Sequence, residues 1–576
     1  MKQLLTGNEA IARGAYEYGV AVATAYPGTP STEILENVSK YKEIKAQWSP
    51  NEKVAMEVAA GSSLAGARTL VAMKHVGVNV AADPLFTMSY AGVNGGLVLV
   101  SADDPGMHSS QNEQDNRYYA PFSKIPMLEP SDSQEAKDFV GLAEQLSEDF
   151  DVPVLLRITT RISHSKTIVE LGLPMERLVK PYTKDMRKNV MIPAHARQKR
   201  ILLEERQRRL KEYSEITPLN RIEWQDKKIG VITSGISYQY VKEALPGASV
   251  LKLGFTWPLP SKLIQDFARE VQTLYVIEEN EPYLEDHIKA LGLEVQGKAL
   301  FPIMGELSTA IIRRALNLTP YRAPLSPATV PTRPPVLCPG CPHRAVFYVL
   351  KQLRLIVTGD IGCYTLGALS PLDSMDTCIC MGASLPMAQG FEKAHPELAE
   401  KTVAVIGDST FAHSGLTGLM DIVYNQGTAT VLILDNSTTA MTGHQEHPGT
   451  GKSLSGETTP QIDIAALCRA IGVSRTFVVD PFEMDGLKDL LKREVATREP
   501  SVIVARRPCA LIVKQTTEAL AVDATKCVGC KMCGRIGCPA ISFVDKKSHI
   551  NSSLCIGCGL CVGLCKFGAI AKEVRS

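Results

Sequence analysis

The sequence lacks a charge excess of either sign. Its 576 residues carry 62 Lys and Arg against 61 Asp and Glu, a net charge of +1. No basic surplus points to nucleic acid, and no acidic surplus points to a solvating tail. Long hydrophobic runs are missing too. Even the apolar stretch from Val54 to Met73 is broken by Glu57 and Arg68, so no run reaches the roughly 18 residues a membrane span needs. The opening MKQLLTGNEAIARG meets Glu9 and Arg13 before a signal-like apolar core can form. The expectation is a soluble, cytoplasmic protein with neither a membrane nor a nucleic acid as partner. Apolar residues at 45% and charged residues at 21% exclude wholesale disorder. At about 150 residues per domain, the length fits about four domains rather than one small binding module.

Cysteine, by contrast, is plentiful. There are 15, and eight of them fall between Cys527 and Cys565. Disulfides rarely persist in a reducing compartment, so such a cluster reads first as metal binding.

Along the chain, residues 1–180 alternate strand-like and helix-like runs. AVATAYP, TLVAMKH, GGLVLVSADDPG and VPVLLRITT read as strands, and NEKVAMEVAAGSSLAG reads as a helix. That alternation implies an α/β domain with a mostly parallel sheet, whose ligands sit at the carboxyl ends of strands. Residues 181–228 read as a charged linking helix, because acidic residues interleave with the basic ones. Residues 229–318 form a smaller α/β domain, with KIGVITSGISY and TLYVIEEN as strands. Six prolines in residues 319–335 make a stiff linker. A third α/β region covers 336–515, with RLIVTGD, TVAVIGD, TATVLILDN and PSVIVARR as strands. The cysteine-rich tail covers 520–576.

The tail spacing is Cys527-x2-Cys530-x2-Cys533-x4-Cys538-Pro539, then Cys555-x2-Cys558-x2-Cys561-x3-Cys565. Each tight loop offers three thiolates to one cubane, and the distal cysteine crosses to the other. Cys527, Cys530, Cys533 and Cys565 are therefore assigned to one [4Fe–4S] cluster. Cys538, Cys555, Cys558 and Cys561 are assigned to the second. Structural zinc is the alternative, although zinc motifs rarely pair triple-cysteine runs with crossed fourth ligands. The segment resembles two-cluster bacterial ferredoxins, small α+β domains. It departs from them in the x4 spacing and in Lys566, where a proline is usual. That lysine would favour a reduced, more anionic cluster.

In the third region, TVAVIGDST ends a strand at Gly407-Asp408-Ser409, and Asn436 follows 28 positions after Asp408, behind another strand. This resembles the thiamine diphosphate motif of thiamine-dependent enzymes. Gly407 is expected to permit a tight turn. The resemblance implies an octahedral Mg²⁺ held by Asp408, Asn436 and the main-chain oxygen of Thr438, with diphosphate oxygens and water completing the shell. Ser409 stands where the family often has glycine. Upstream, MGASLPMAQG resembles the glycine-rich cofactor segment, with Gly382 and Ser384 at its centre. A bare Gly-Asp after a strand is a weak signal, and an ordinary ligand-free turn is its plain reading.

Thiamine enzymes also need a carboxylate against the aminopyrimidine ring. Glu52, at a strand-to-helix entry, is the candidate, and Glu57 is its rival. A Glu in a first helical turn is otherwise dipole decoration. AYPGTPSTE resembles the oxoacid-contacting segment of 2-oxoacid:ferredoxin oxidoreductases, which makes Thr29 a donor to substrate. His75 could assist, or could be an ordinary satisfied core histidine.

Over its whole length the chain resembles the large subunits of that family, through YPGTPSTE, the glutamate segment, LCPGCPHR, MGAS, the GDS and DN pair, and the tail. The resemblance implies a multidomain thiamine-diphosphate-enzyme architecture with a ferredoxin-like end. It implies oxidative decarboxylation of arylpyruvates such as indole-3-pyruvate with coenzyme A, giving an arylacetyl-CoA and reducing ferredoxin. A smaller beta subunit is the implied partner. Pyruvate or 2-oxoglutarate as substrate is an alternative within the family. An electron-transfer scaffold with a vestigial thiamine region is an alternative outside it, with Ser409 as its support. Cys338, Cys341, Cys363 and Cys509 lie where relatives hold a cluster beside thiamine. They are candidates for a third cluster here, against a reading as packed free thiols.

Overall fold

The computed structural model describes residues 1–319, 334–513 and 517–572. The chain forms two compact units, Met1–Pro327 and Ala328–Ser576. The division falls inside the proline-rich linker, most of which lies outside the described residues.

The first unit is built on a seven-stranded sheet. Its order is Phe255–Trp257, Met127–Leu128, Val154–Thr159, Leu97–Asp103, Thr69–Lys74, Val22–Ala25 and Lys45–Trp48. All its neighbours are parallel except the Phe255–Trp257 edge, which runs antiparallel to Met127–Leu128. The central strands are buried throughout, as helix-covered parallel strands must be. A second sheet orders Thr273–Ile277, Asp226–Ser234, Ala248–Leu253 and Asn220–Glu223.

These two sheets are not independent domains. The strand Phe255–Trp257 lies between segments of the second sheet in sequence, yet pairs with the first. One apolar core also runs through both, from Val71 and Leu99 to Leu251, Phe267 and Tyr283. The expected boundary between 1–180 and 229–318 is thus a division of sequence, not of packing. The stretch 181–228 likewise does more than link. Its helix, Pro193–Ile216, buries Leu203, Arg206, Leu210 and Ser214. Arg206 donates to the Ser89 carbonyl at 2.7 Å, and Tyr213 meets the rings of Phe150 and Phe255. The strand Asn220–Glu223 within that stretch already belongs to the second sheet.

The second unit holds an all-parallel sheet in the order Ile356–Thr358, Thr402–Gly407, Thr430–Asp435, Ser501–Arg506 and Arg475–Val479. The tail adds two antiparallel pairs, Leu520–Val522 with Ile570–Lys572 and Ile541–Val544 with Lys547–Ile550. Ile536, Leu560 and Leu564 of the tail share a core with Val346, Leu350 and Leu432, so the tail packs as part of this unit. No helix among the described residues is long and apolar enough to cross a membrane.

Candidate functional site

In the first unit, the candidate residues gather where neighbouring parallel strands end. Asn51 leaves the strand Lys45–Trp48 and caps the helix Glu52–Leu64, its side chain accepting from Val54 N at 2.9 Å. That cap places Glu52 at the first helical position, where it is buried. Glu57 sits on the exposed face of the same helix and pairs with Lys53. The structure therefore separates the two glutamates by environment. The Glu52 carboxyl lies against Gly77 of the short helix His75–Val80, at a distance only a residue without a side chain permits.

Thr29 stands half-buried in the turn after Val22–Ala25. Its carbonyl accepts from the Ser109 hydroxyl at 3.2 Å. Gly28, beside it, packs on Lys74. Lys74 was not foreseen from sequence. Its Nζ donates to the Ser109 carbonyl at 2.6 Å. Burial lowers its ammonium to about 8, with Asp104 partly opposing. His75 is fully buried, its Nε2 3.2 Å from Asn112 Oδ1. Burial lowers its pKa and keeps the ring neutral, although Asp103 opposes. Its Nδ1 finds no hydrogen-bond partner.

In the second unit, the strand Thr402–Gly407 delivers Asp408 to its carboxyl end. Gly407 has φ −80 and ψ 161, extended backbone that any residue adopts. The expected tight turn is not the reason for glycine here. A Cβ would meet the Tyr364 ring at 2.7 Å, so close packing is. Asp408 Oδ2 accepts from Asn436 N at 3.1 Å and Ser437 N at 2.8 Å, and Oδ1 accepts from Ser409 N at 2.8 Å. These bonds tie the GDS and DN segments together. The Thr439 hydroxyl donates to Ser409 Oγ at 2.9 Å.

The Asn436 amide stands against the Thr438 carbonyl at 2.9 Å and Asp408 Oδ1 at 3.2 Å, placed so that its NH₂ group donates to both. Asp408, Asn436 and the Thr438 carbonyl, the three groups expected around the metal, therefore come together in one place. Turning the amide would present its oxygen there instead, the donor type a hard cation takes. His447 Nε2 lies 3.3 Å from Asp408 Oδ2 without forming a hydrogen bond. Because Nδ1 accepts from Gly449 N at 3.1 Å, the ring proton sits on Nε2.

Asp360, another residue the sequence reading passed over, shapes the MGAS turn. Its carboxylate accepts from Gly382 N at 2.9 Å and Ser384 N at 3.0 Å. Burial raises it to about 6, against the pull of those amides. Gly382 has φ +88, and a Cβ there would run into Ser414. Its signal in the sequence is the same as that of Asp408, a Gly-Asp pair after a strand.

The scattered cysteines Cys338, Cys341, Cys363 and Cys509 come within electrostatic reach of one another. Burial raises Cys363 to about 11, followed by the influence of Cys509 and Cys338. Cys509 N donates to the Asn436 carbonyl at 2.9 Å, which sets this group beside Asp408.

The tail cysteines surround two cavities. Cys538, Cys555, Cys558 and Cys561 line one. Cys527, Cys530, Cys533 and Cys565 line the other. Backbone N–H groups point at the sulfurs. Ala569 N lies 3.3 Å from Cys565 Sγ, Leu520 N 3.4 Å from Cys555 Sγ and Ser548 N 3.5 Å from Cys527 Sγ. The Ser548 and Gly529 amides hold the Cys527 thiol below its usual range. Among the described residues, no three His, Cys, Asp or Glu side chains close on a single-ion position. The thiols stand around cavities, as cubane ligands do.

Three family models match the chain. Residues 13–233 match the thiamine diphosphate-binding domain of pyruvate flavodoxin/ferredoxin oxidoreductases. Residues 360–505 match the C-terminal thiamine pyrophosphate-binding domain of thiamine pyrophosphate enzymes. Residues 548–571 match a 4Fe–4S binding domain. Indolepyruvate oxidoreductase subunit IorA of Archaeoglobus fulgidus is 43% identical over 100% of this chain and 98% of its own. The Pyrococcus horikoshii subunit of that name is 41% identical over 99% and 97%. Ketoisovalerate oxidoreductase subunit VorB of Methanothermobacter marburgensis is 24% identical over 50% and 89%.

Proposed function

Since the chain belongs to the indolepyruvate oxidoreductase IorA family of thiamine-dependent 2-oxoacid:ferredoxin oxidoreductases, we propose that it decarboxylates arylpyruvates such as indole-3-pyruvate oxidatively, with coenzyme A as acyl acceptor. The balance is one oxoacid anion plus one thiol giving one arylacetyl thioester, CO₂, one proton and two electrons. The electrons leave singly, to ferredoxin. A smaller beta subunit completes the enzyme, and free thiols beside oxygen-sensitive clusters suit the cytoplasm.

The observation that carries this reading is the meeting of Asp408, the Asn436 amide and the Thr438 carbonyl in one place, at the carboxyl ends of two neighbouring parallel strands. These three would hold Mg²⁺, and the turn at Gly382 and Ser384 would receive the diphosphate. Bound thiamine diphosphate supplies a nucleophilic carbon and an electron sink for decarboxylation. Glu52 would hold the proton shared with the aminopyrimidine nitrogen, and burial beside Gly77 fixes its carboxyl for that exchange. Thr29 would donate its hydroxyl to the oxoacid. His75, buried and neutral, would hold the Asn112 and Asn116 segment: the Asn116 side chain donates to its carbonyl at 3.0 Å. The two tail cavities would each hold a [4Fe–4S] cluster. Cys338, Cys341, Cys363 and Cys509 would hold a third, next to the magnesium site.

The test is co-purification with the partner subunit under anaerobic conditions, then iron, thiamine and activity assays on the complex. A panel of oxoacids following reduction of a viologen dye should favour the aryl substrates. A preference for pyruvate or 2-oxoglutarate overturns the aryl assignment.

A further inference from the structure

Arg344 is the second residue of the helix His343–Leu353, and it is 2% exposed. Its guanidinium donates to the Cys338 carbonyl at 2.9 Å and the Ile536 carbonyl at 3.3 Å, and also to the carbonyls of Leu337 and Gly537. All four acceptors are neutral. They solvate the charge without cancelling it. The other groups that face it are sulfurs, those of Cys538, Cys341, Cys338 and Cys558, which become anionic as cluster ligands.

The same side chain lines the cavity of Cys538, Cys555, Cys558 and Cys561, with Pro339 and Gly340 beside it. Gly340, at φ +69, has no room for a side chain. A Cβ would come within 2.0 Å of Ile556 Cδ1 and 3.5 Å of Cys558 Cβ. The 338–341 turn and this cavity therefore share a wall, and Arg344 stands in it. Among the described residues that line the other cavity, none is a buried cation. Lys531 lines it, but is exposed. Lys566, beside Cys565, is exposed as well.

A buried charge is costly unless something opposite answers it. A cubane held by four thiolates is anionic, and each electron it takes adds one negative charge. A cation fixed in a low-dielectric wall stabilises the reduced form, whereas cations in water are screened. We propose that Arg344 sets the reduction potential of the cluster held by Cys538, Cys555, Cys558 and Cys561, raising it above that of the cluster in the second cavity. The cluster that shares a wall with the 338–341 turn then draws electrons first. This rests on the reading of the tail as a two-cluster domain.

The experiment is a redox titration of the anaerobically purified full chain, followed by electron paramagnetic resonance. Arg344→Gln should move the signal of one tail cluster to lower potential and leave the other in place. Arg344→Lys, which keeps the charge and loses hydrogen bonds, should stay close to the wild type. Arg535→Gln, an exposed tail cation, should move neither. Unmoved potentials in Arg344→Gln overturn the proposal, and so does an equal fall in Arg344→Lys. If Arg344→Gln loses iron, Arg344→His replaces it, titrated from about pH 6 to about pH 9 across the imidazole range. A wild-type potential throughout that range overturns the proposal. Iron and sulfide analysis of the wild type keeps the two readings apart. If the tail does not account for about eight iron atoms per chain, the two-cluster reading falls, whatever Arg344 does.

Discussion

Gly77 and Glu52 occupy one space. A Cβ on Gly77 would lie 2.7 Å from Glu52 Cγ and 2.7 Å from its Oε1. Gly77→Ala should therefore push the carboxyl out of line and lower kcat by about 100-fold, within the range of a lost proton-transfer group. Thiamine diphosphate affinity should change far less. Wild-type turnover in Gly77→Ala would show that the contact is only packing.

The two glutamates of the same helix should behave oppositely. Glu52→Gln keeps the shape and removes the ionisable group, so turnover should fall by about 10²- to 10⁴-fold. Glu57→Gln removes only an exposed, solvent-screened pair with Lys53, so turnover should stay close to the wild type. Steady-state assays on both proteins decide, and equal losses would unseat Glu52.

Calorimetry tests the metal. In the wild type, thiamine diphosphate binding should require Mg²⁺. Asp408→Ala and Asn436→Ala should weaken that metal-dependent binding by more than about 100-fold, beyond the loss usual for an outer-shell partner. Binding that ignores both the metal and the substitutions would favour a vestigial site.

Cys509→Ala addresses the third group of thiols. Its iron content should fall by about four atoms per chain, with folding intact by circular dichroism. Unchanged iron in a folded protein sinks the third cluster.

A stability prediction comes from Glu144, fully buried with both carboxylate oxygens unpaired. Burial raises its pKa well above the ordinary value. The folded state holds this proton more tightly than the unfolded chain does, so the group costs stability once the pH exceeds the unfolded value of about 4.3. Glu144→Gln, neutral at every pH, should raise Tm at pH 8. The gain should be about 1.4 kcal/mol for each unit by which the native pKa is raised, up to that pH. It should shrink as the pH falls towards about 4. A gain independent of pH would mean the carboxyl is not the cause.

What could be read in advance was what local pattern controls. The strands and the helix Glu52–Leu64 carry their own periodicity and cap. The tail cysteines lie close together in sequence, so a local spacing is enough to suggest how they group. Residues whose meaning depends on a distant neighbour stayed hidden. Gly77 matters only because Glu52 arrives against it, and Gly407 only because Tyr364 does. Lys74 and Arg344 carry no local signal, and only their burial makes them notable. Cys338, Cys341, Cys363 and Cys509 are scattered along the chain, and only the parallel sheet and the approach of Cys509 to Asn436 bring them together.

The edge strand Phe255–Trp257 has a bearing on biosynthesis. As the polypeptide leaves the ribosome, the sheet that carries Glu52 remains open along the side of Met127–Leu128 until Trp257 has emerged. Any fragment ending at the supposed boundary near residue 180 would keep that edge bare and ready to pair with another chain. The amino-terminal half is therefore one indivisible folding product, to be expressed through its second sheet or not at all.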